Sequence, residues 1–346
     1  MPDSLPGRPP FAPMRRLCVR LLAVALAGCS EQQRSAAPAP AAPGERLPAA
    51  VRREPIRSDP ACIGPLDAAP LKLRTATGEL RLGVLAGLKD SGDDNVAGLR
   101  RMAFELQRRG ADLLIASGDL GDTSDAQEAL LGALSAPGLP LIVAAGNREL
   151  RAELDAAEAD LRRRGTALTD LSHTRTVDLG DALVAGLPGA FERKQLRTEG
   201  ACLYLQQDVD ALAAFLDKQP AGAPPVLLVA AVPPRGEGAG ALDASDGQNL
   251  GDPHLNTLLT TRRAAFGFFG QVWEAGGRAV DGAGKPVGPG VPAAQLYLNP
   301  GAADRTPWTM ADGSIAHGLA ALVSVRGRLA SYEVVRAPPP QLPRQP

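Results

Sequence analysis

The chain has 346 residues, of which 45% are hydrophobic, so it is long enough for one large domain or two small ones. Its formal net charge is −1, and this balance argues against a nucleic-acid partner. Aromatic residues make up only 3% of the chain, which predicts a core of Leu, Val and Ala. The 38 glycines and 32 prolines indicate many loops and at least one disordered segment.

The first 28 residues have the pattern of a signal peptide. A positive stretch at 14–16 precedes the apolar run 17–27, which is too short to span a bilayer comfortably. The run ends in Leu-Ala-Gly-Cys at 26–29, which resembles the lipobox of bacterial lipoproteins. That resemblance implies removal of residues 1–28 and acylation of Cys29, with a lipid anchor in a membrane of the bacterial cell envelope, at the outer membrane or periplasmic face. The alternative is an ordinary secretory signal with a chance cysteine.

The segment 29–75 is predicted to be a disordered tether, because it is rich in proline and alanine and buries little apolar surface. Residues 338–346 form a second proline-rich segment, a tail, so the predicted folded domain is 76–337. Besides Cys29, two cysteines lie outside the signal peptide, Cys62 and Cys202. In an oxidising compartment they could pair and join the tether to the domain, and the alternative is two separate thiols.

Short apolar runs alternate with amphipathic stretches through the predicted domain. The runs predict strands at 81–87, 111–119, 139–147, 174–180, 181–189, 224–234, 263–271 and 293–301, and a hairpin over 318–336. The amphipathic stretches predict helices at 96–110, 125–134, 149–165 and 208–219. Alternation of strands and helices predicts an α/β fold with helices covering the sheet, and the later strands without helices between them indicate a mixed, two-sheet core.

Each predicted strand ends in a loop that carries glycine or polar residues, at the edge where α/β proteins build their sites. These loops read Gly-Leu-Lys at 87–89, Gly-Asp-Leu-Gly-Asp at 118–122, Gly-Asn-Arg-Glu at 146–149, Ala-Ala-Val at 230–232 and Gly-Gln-Val-Trp at 270–273. Their order and spacing resemble the calcineurin-like metallophosphoesterase family over about residues 80–336. The resemblance implies a four-layer αββα sandwich of two mixed β-sheets.

In that family the corresponding loops hold two metal ions that ionise a bridging water and bind phosphate oxygens. The family pattern is Asp-x-His, Gly-Asp-x-x-Asp, Gly-Asn-His-Asp/Glu, a single His and Gly-His-x-His. The resemblance implies that Asp119, Asp122 and Asn147 are retained at such positions. The other positions carry different residues, namely Gly87, Lys89, Arg148, Ala231, Gln271 and Trp273.

The scarcity of histidine supports this alignment. The family's two-metal centre needs around four or five histidines, whereas this chain has three, His173, His254 and His317, none at a ligand position. The site is therefore predicted to be vestigial, with no tightly bound metal cofactor. Asp119 and Asn147 could at most hold one divalent ion weakly, such as Mn, Fe, Zn or Ca.

The replacement residues suggest what fills the site. Lys89 and Arg148 bring two positive charges near Asp119, so one or both are expected to pair with it; the alternative is that both point to solvent. Trp273 is expected to pack into the emptied site, or else to offer a stacking face to a ligand. The polar loop 243–256 is expected to be solvated, and a calcium site there is the alternative, although its pattern is not an EF-hand.

The leading functional hypothesis is an envelope lipoprotein whose domain is a catalytically inactive pseudoenzyme. It would act as a binding or interaction module for a protein or an anionic small molecule, and contact the membrane through its lipid anchor. One alternative is a residual phosphoesterase that uses Asp119 and Asn147, with Glu149 or Asp122, and one weakly bound metal. A second alternative is a purely structural surface protein.

Overall fold

The computed structural model describes residues 58–59, 62–70, 78–261 and 263–337, all within one compact unit, Pro55–Pro346. The predicted signal peptide 1–28, the lipidation site Cys29 and the tail 338–346 lie outside the described residues. Among the helices described, none combines the length and the apolar character needed to cross a membrane.

Strands and short helices make up the described chain. The strands are β1 (Ala68–Pro70), β2 (Leu80–Ala86), β3 (Leu113–Ser117), β4 (Leu141–Ala144), β5 (Leu168–Asp170), β6 (Thr176–Asp178), β7 (Leu183–Leu187), β8 (Val226–Ala230), β9 (Ala244–Ser245), β10 (Gln248–Asn249), β11 (Phe266–Phe269), β12 (Arg278–Val280), β13 (Pro286–Val287), β14 (Leu296–Asn299), β15 (Trp308–Thr309), β16 (Ile315–Ala316), β17 (Leu319–Arg326) and β18 (Leu329–Arg336). The α-helices are α1 (Asp93–Arg108), α2 (Ser124–Ser135), α3 (Arg151–Arg163), α4 (Gln206–Asp217) and α5 (Leu255–Thr260).

The first sheet has six strands in the order β18-β17-β2-β3-β4-β5. Strands β2 to β5 are parallel, and β17 pairs antiparallel with both β2 and β18. Side chains alternate between the two faces of the sheet: Leu113 and Ile115 of β3 point into the core between the sheets, whereas Leu114 and Ala116 pack on the helix side. Both faces are therefore buried, which explains why the sequence of β3 is a continuous apolar run.

The second sheet has eight strands in the order β1-β6-β7-β8-β11-β14-β12-β13. Leu227 and Val229 of β8 belong to the core between the sheets, and Leu228 belongs to the outer core with residues of α4 and α5. Helices α1 to α3 supply the corresponding outer core of the first sheet. The layers are thus helix, sheet, sheet and helix, and the predicted αββα fold class is confirmed.

The predicted tether 29–75 extends too far along the chain, because residues 62–70 belong to the folded unit. Cys62 and Cys202 form a disulfide with a Cα–Cα distance of 5.4 Å, one of the two alternatives that the sequence leaves open. Strand β1 then pairs in parallel with β6, with Ala68 opposite Thr176. The amino-acid composition does not predict that this segment is folded, because an edge strand is held by main-chain hydrogen bonds more than by apolar side chains.

The loop 243–256 is only partly solvated: residues 246–248 are exposed as predicted, but both of its ends pack against the domain. Asp243 and Asp252 are fully buried, and both carboxylates accept hydrogen bonds. Asp243 accepts from the Gly251 amide at 2.8 Å, and Asp252 accepts from the Tyr204 hydroxyl at 2.7 Å. Because these bonds replace water, a polar sequence can pack against the domain instead of facing solvent. The other small elements that the sequence does not predict are β5, β9, β10, β12, β13, β15, β16 and α5.

Candidate functional site

The loops after β2, β3 and β11 meet at one edge of the two sheets. The amides of Leu88 and Lys89 both donate to the Asp119 carbonyl at 2.9 Å, which fixes the first loop against the second. Lys89, Asp119 and Gln271 have φ values of 60°, 54° and 60°, and they are three of the four described non-glycine residues with positive φ. Such backbone strain costs about 1–3 kcal/mol per residue and concentrates at functional sites, so it marks this edge of the sheets.

Arg148 neutralises the buried carboxylate of Asp119. Its Nε lies 3.0 Å from Asp119 Oδ1, and its Nη1 lies 3.1 Å from Asp122 Oδ1. Burial raises the pKa of Asp119, while the charges of Arg148 and Lys89 act against that rise. The expected ion pair therefore forms with Arg148, and Asp122 extends it toward solvent.

Lys89 takes a different position from the one expected. Its ammonium lies 3.2 Å from the ring centroid of Trp273 and 3.4 Å from that of Trp308, so it sits against two indoles. Its nearest carboxylate oxygen is Asp304 Oδ2 at 3.7 Å, not an oxygen of Asp119. Burial lowers the pKa of Lys89 to about 8, and the Asp304 charge opposes that shift. Sequence reasoning missed Asp304 and Trp308, because nothing in their local sequence points to the site.

Trp273 packs against the position of Gly87, as the packing interpretation predicts. A Cβ built on Gly87 would lie 3.1 Å from Trp273 Nε1 and 3.2 Å from the Ala302 Cα. Gly87 also has a φ of 61°, which disfavours other residues. An aspartate at this position would therefore need both a different backbone and a displaced Trp273.

Asn147 fixes the loop around 193–197, which forms one wall of a cavity described below. Its Nδ2 donates to the Gln195 carbonyl at 2.7 Å, and its own carbonyl accepts from the Arg197 amide at 2.9 Å.

Glu149 is fully buried and accepts from the amides of Leu120 at 2.5 Å and Gly146 at 2.6 Å. Burial and the neighbouring Asp119 charge raise the pKa of Glu149 to about 7. Glu149 thus joins two strand-end loops, and both of its oxygens are already engaged.

Ala231 and Gln271 are the remaining residues at positions where the resemblance implies metal-ligating histidines. Ala231 is buried, and a Cβ on Gly118 would lie 2.8 Å from the Ala231 Cβ, so these strand ends are in close contact. The Oε1 of Gln271 is buried, and no donor in the described part of the chain reaches it. Neither residue brings a nitrogen ligand to the position where the resemblance implies one.

A cavity of about 350 Å³ lies over these loops. It is lined by polar and apolar side chains, among them Asp119, Asn147, Arg148, Lys194, Arg197, Leu250, Gln271, Trp273 and Glu274. Basic residues outnumber acidic ones in this lining. The structure therefore brings Asp119, Asn147, Arg148, Gln271 and Trp273 to one cavity, whereas Gly87, Lys89, Asp122 and Ala231 are not part of its lining.

The residues of the site do not fit a two-metal centre. The ammonium of Lys89 and the guanidinium of Arg148 already compensate the buried carboxylates, and Trp273 blocks a side chain at position 87. A divalent ion would meet repulsion from both cations and would find few oxygen or nitrogen ligands.

A second acidic cluster lies away from the cavity lining. One ligand atom from each of Asp155, Glu158 and His173 lies within 4.8 Å of the others. Arg151 Nη2 is 2.6 Å from Asp155 Oδ1, and Arg162 Nη2 is 3.0 Å from Glu158 Oε2. Because these arginines already supply the positive charge, the cluster is an ion-pair network.

Comparison with known proteins supports the fold. No family model matches the chain, and no curated protein sequence matches it. The crystal structure of TT1561 of Thermus thermophilus is similar with a TM-score of 0.53 and 15% identity, covering 75% of this chain and 99% of that one. A dimetal phosphatase from Danio rerio aligns with a TM-score of 0.48 and 14% identity, covering 75% of this chain and 99% of that one. At these identities the likeness concerns the fold alone.

Proposed function

The chain has a metallophosphoesterase-like fold, and from this premise we propose that it is a non-catalytic envelope lipoprotein whose domain binds a partner through the cavity at the strand ends. One observation carries this proposal. The Lys89 ammonium lies against Trp273 and Trp308, at the edge of the sheets where the family holds its metal ions.

Two protein cations make metal-dependent hydrolysis unfavourable at this site. A divalent ion within about 4 Å of a buried ammonium meets a repulsion of several kcal/mol even at an effective dielectric constant of about 20. Arg148 already pairs with the buried carboxylate of Asp119, so a metal ion would have to displace this guanidinium. The cavity is therefore better suited to binding than to hydrolysis.

The lipoprotein part of the proposal rests on the lipobox-like sequence that ends at Cys29. The disulfide between Cys62 and Cys202 agrees with it, because disulfides persist in oxidising compartments such as the bacterial periplasm. Metabolic labelling with a radioactive fatty acid tests this part. The full chain is expected to be labelled and Cys29→Ser is expected to be unlabelled; equal labelling of both would show that Cys29 is not the lipidation site.

Catalytic inactivity is tested by metal titration and hydrolysis together. The purified chain is titrated with Mn²⁺ and Zn²⁺ by calorimetry and assayed with p-nitrophenyl phosphate and its bis ester. We expect no stoichiometric binding and no p-nitrophenol release above the metal-only blank. Stoichiometric metal binding with hydrolysis that Asp119→Asn abolishes would instead establish the residual phosphoesterase, with Asp119, Asp122 and Asn147 as its remaining ligands.

A further inference from the structure

The cavity is bounded by two loops that hold each other in place. Asn147 fixes the loop around 193–197 from one side, through the Gln195 carbonyl. The Gln195 side chain in turn donates to the Leu250 carbonyl at 2.8 Å, which connects this loop to 243–256. These hydrogen bonds hold the walls of the cavity in place, as in small-molecule sites that are largely pre-formed.

One basic residue of the cavity lining has no carboxylate partner in the described chain. Arg148 pairs with Asp119 and Asp122, and Lys194 pairs with Glu192 at 2.6 Å. Arg197 lines the cavity, and no carboxylate of the described chain lies within ion-pair distance of its guanidinium. A guanidinium of this kind binds a carboxylate or another oxyanion through parallel N–H groups. Glu274 lines the same cavity, and no cation of the described chain forms an ion pair with it. Because this acid repels further negative charge, a monoanion fits better than a dianion.

Two buried acceptors in the lining have no donor. Asp119 is 2% exposed, and its Oδ2 receives no hydrogen bond from the described chain. The Trp273 indole N–H lies close enough to this carboxylate to lower the pKa of Asp119, but it is not directed at Oδ2 with hydrogen-bond geometry. Gln271 Oε1 is unpaired as well. A buried acceptor without a donor is unfavourable. A ligand with an O–H or N–H group would donate the hydrogen bond that these two oxygens lack.

The lining also offers apolar surface. Among the described residues, Leu250 is one of few large hydrophobic side chains that are exposed, at 38% of its surface, and it borders the cavity together with Val272 and Trp273. Covering this surface with an apolar group removes it from water and favours binding. The cavity volume of about 350 Å³ accommodates a molecule the size of a substituted aromatic ring.

We propose that this cavity binds a small amphipathic monoacid that carries a hydrogen-bond donor beside its acid group, such as a hydroxy acid with an apolar substituent. Arg197 holds the acid group, Asp119 Oδ2 and Gln271 Oε1 accept from the donor, and Leu250 with Trp273 covers the apolar part. The inference rests on the proposed function, because it assumes that the cavity binds without metal ions.

Three probes separate these contributions. Mandelate has a carboxylate, a hydroxyl and a phenyl ring; phenylacetate lacks the hydroxyl, and methyl mandelate lacks the charge. Each is titrated into the full chain in detergent and followed by ligand-observed NMR. We expect mandelate to bind with a Kd of about 1 mM, as a ligand of this size allows, phenylacetate about tenfold more weakly, and methyl mandelate not measurably.

The variant Arg197→Gln tests the cation. Its main-chain bond to Asn147 is kept, so the cavity wall stays in place, and mandelate binding should weaken by tenfold or more. Arg193→Gln is the matched control, since Arg193 is exposed in the same loop and does not line the cavity. Equal binding of mandelate to both variants would overturn the role of Arg197, and equal binding of mandelate and phenylacetate would overturn the role of the acceptors.

The outcome also separates this inference from the proposed function. If no probe binds and the chain also takes up no metal, the ligand class is wrong while the non-catalytic assignment stands. If inorganic phosphate binds only together with stoichiometric Mn²⁺, both are overturned.

Discussion

Replacing Lys89 with methionine tests whether this residue compensates the buried acids of the site. Methionine keeps most of the length and apolar character of lysine but removes the ammonium. The variant loses two contacts with indole faces, each contributing about 1–2 kcal/mol when desolvated. It also leaves Asp304, whose side chain is fully buried, without its cation. The variant in turn avoids the cost of burying the ammonium, which is reflected in the lowered pKa of Lys89. We expect a net loss of about 2–3 kcal/mol.

The assay is thermal unfolding, in which a loss of this size lowers the Tm by roughly 5–10 °C for a domain of this length. The pH dependence gives an independent readout. The pKa of Lys89 is about 8 in the folded chain and its ordinary value is 10.5, so the unfolded chain binds more protons between these two values. The wild type should therefore gain stability over Lys89→Met as the pH rises through this window.

The control is Lys218→Met, because Lys218 is exposed at the end of α4. We expect its Tm to stay within about 1–2 °C of the wild type. If Lys89→Met unfolds at the same temperature as Lys218→Met and shows the same pH dependence, Lys89 does not compensate these acids, and the reasoning is refuted.

Three further predictions concern other parts of the site. Asp119→Ala should lower the free energy of unfolding by about 2–4 kcal/mol, because it leaves Arg148 partly buried without its main partner; an unchanged Tm would contradict the buried pairing. Glu149 has a folded pKa of about 7, above its ordinary 4.5, so its contribution to stability is present below pH 4.5 and is lost as the pH rises through 7. In Glu149→Gln the slope of stability against pH in that window should be smaller than in the wild type, and an identical slope would refute this assignment. Replacing Cys62 and Cys202 together by serine should cost about 2–5 kcal/mol, since the disulfide closes a long loop; equal denaturation midpoints for the two proteins would exclude a stabilising role.

The sequence predicted the main elements well because their hydrophobic patterns match the layers in which they pack. The continuous apolar runs of β3 and β8 are buried on both faces, and the amphipathic runs lie in α1 to α4. The pair of Asp119 and Arg148 was also predictable, since the two residues lie at the ends of adjacent parallel strands, β3 and β4.

What the sequence could not predict depends on contacts between distant segments. Lys89 lies against Trp308 and Asp304 because the segment after β14 returns to the end of β2, where the Ala303 amide donates to the Ala86 carbonyl at 2.8 Å. No local pattern indicates this return. Asp243 is likewise predicted to be solvated from its polar sequence, because its hydrogen-bond donors are apparent only in the structure.

The most direct test of the central claim is the metal content of the full chain, purified in detergent without chelator and then incubated with Mn, Fe and Zn. Elemental analysis by mass spectrometry gives the number of ions per folded chain. Because Lys89 and Arg148 already supply positive charge at the site, we predict far less than one ion per chain for every metal. One or two tightly held ions per chain, lost on Asp119→Asn, would contradict the account and make the domain a metal-dependent enzyme.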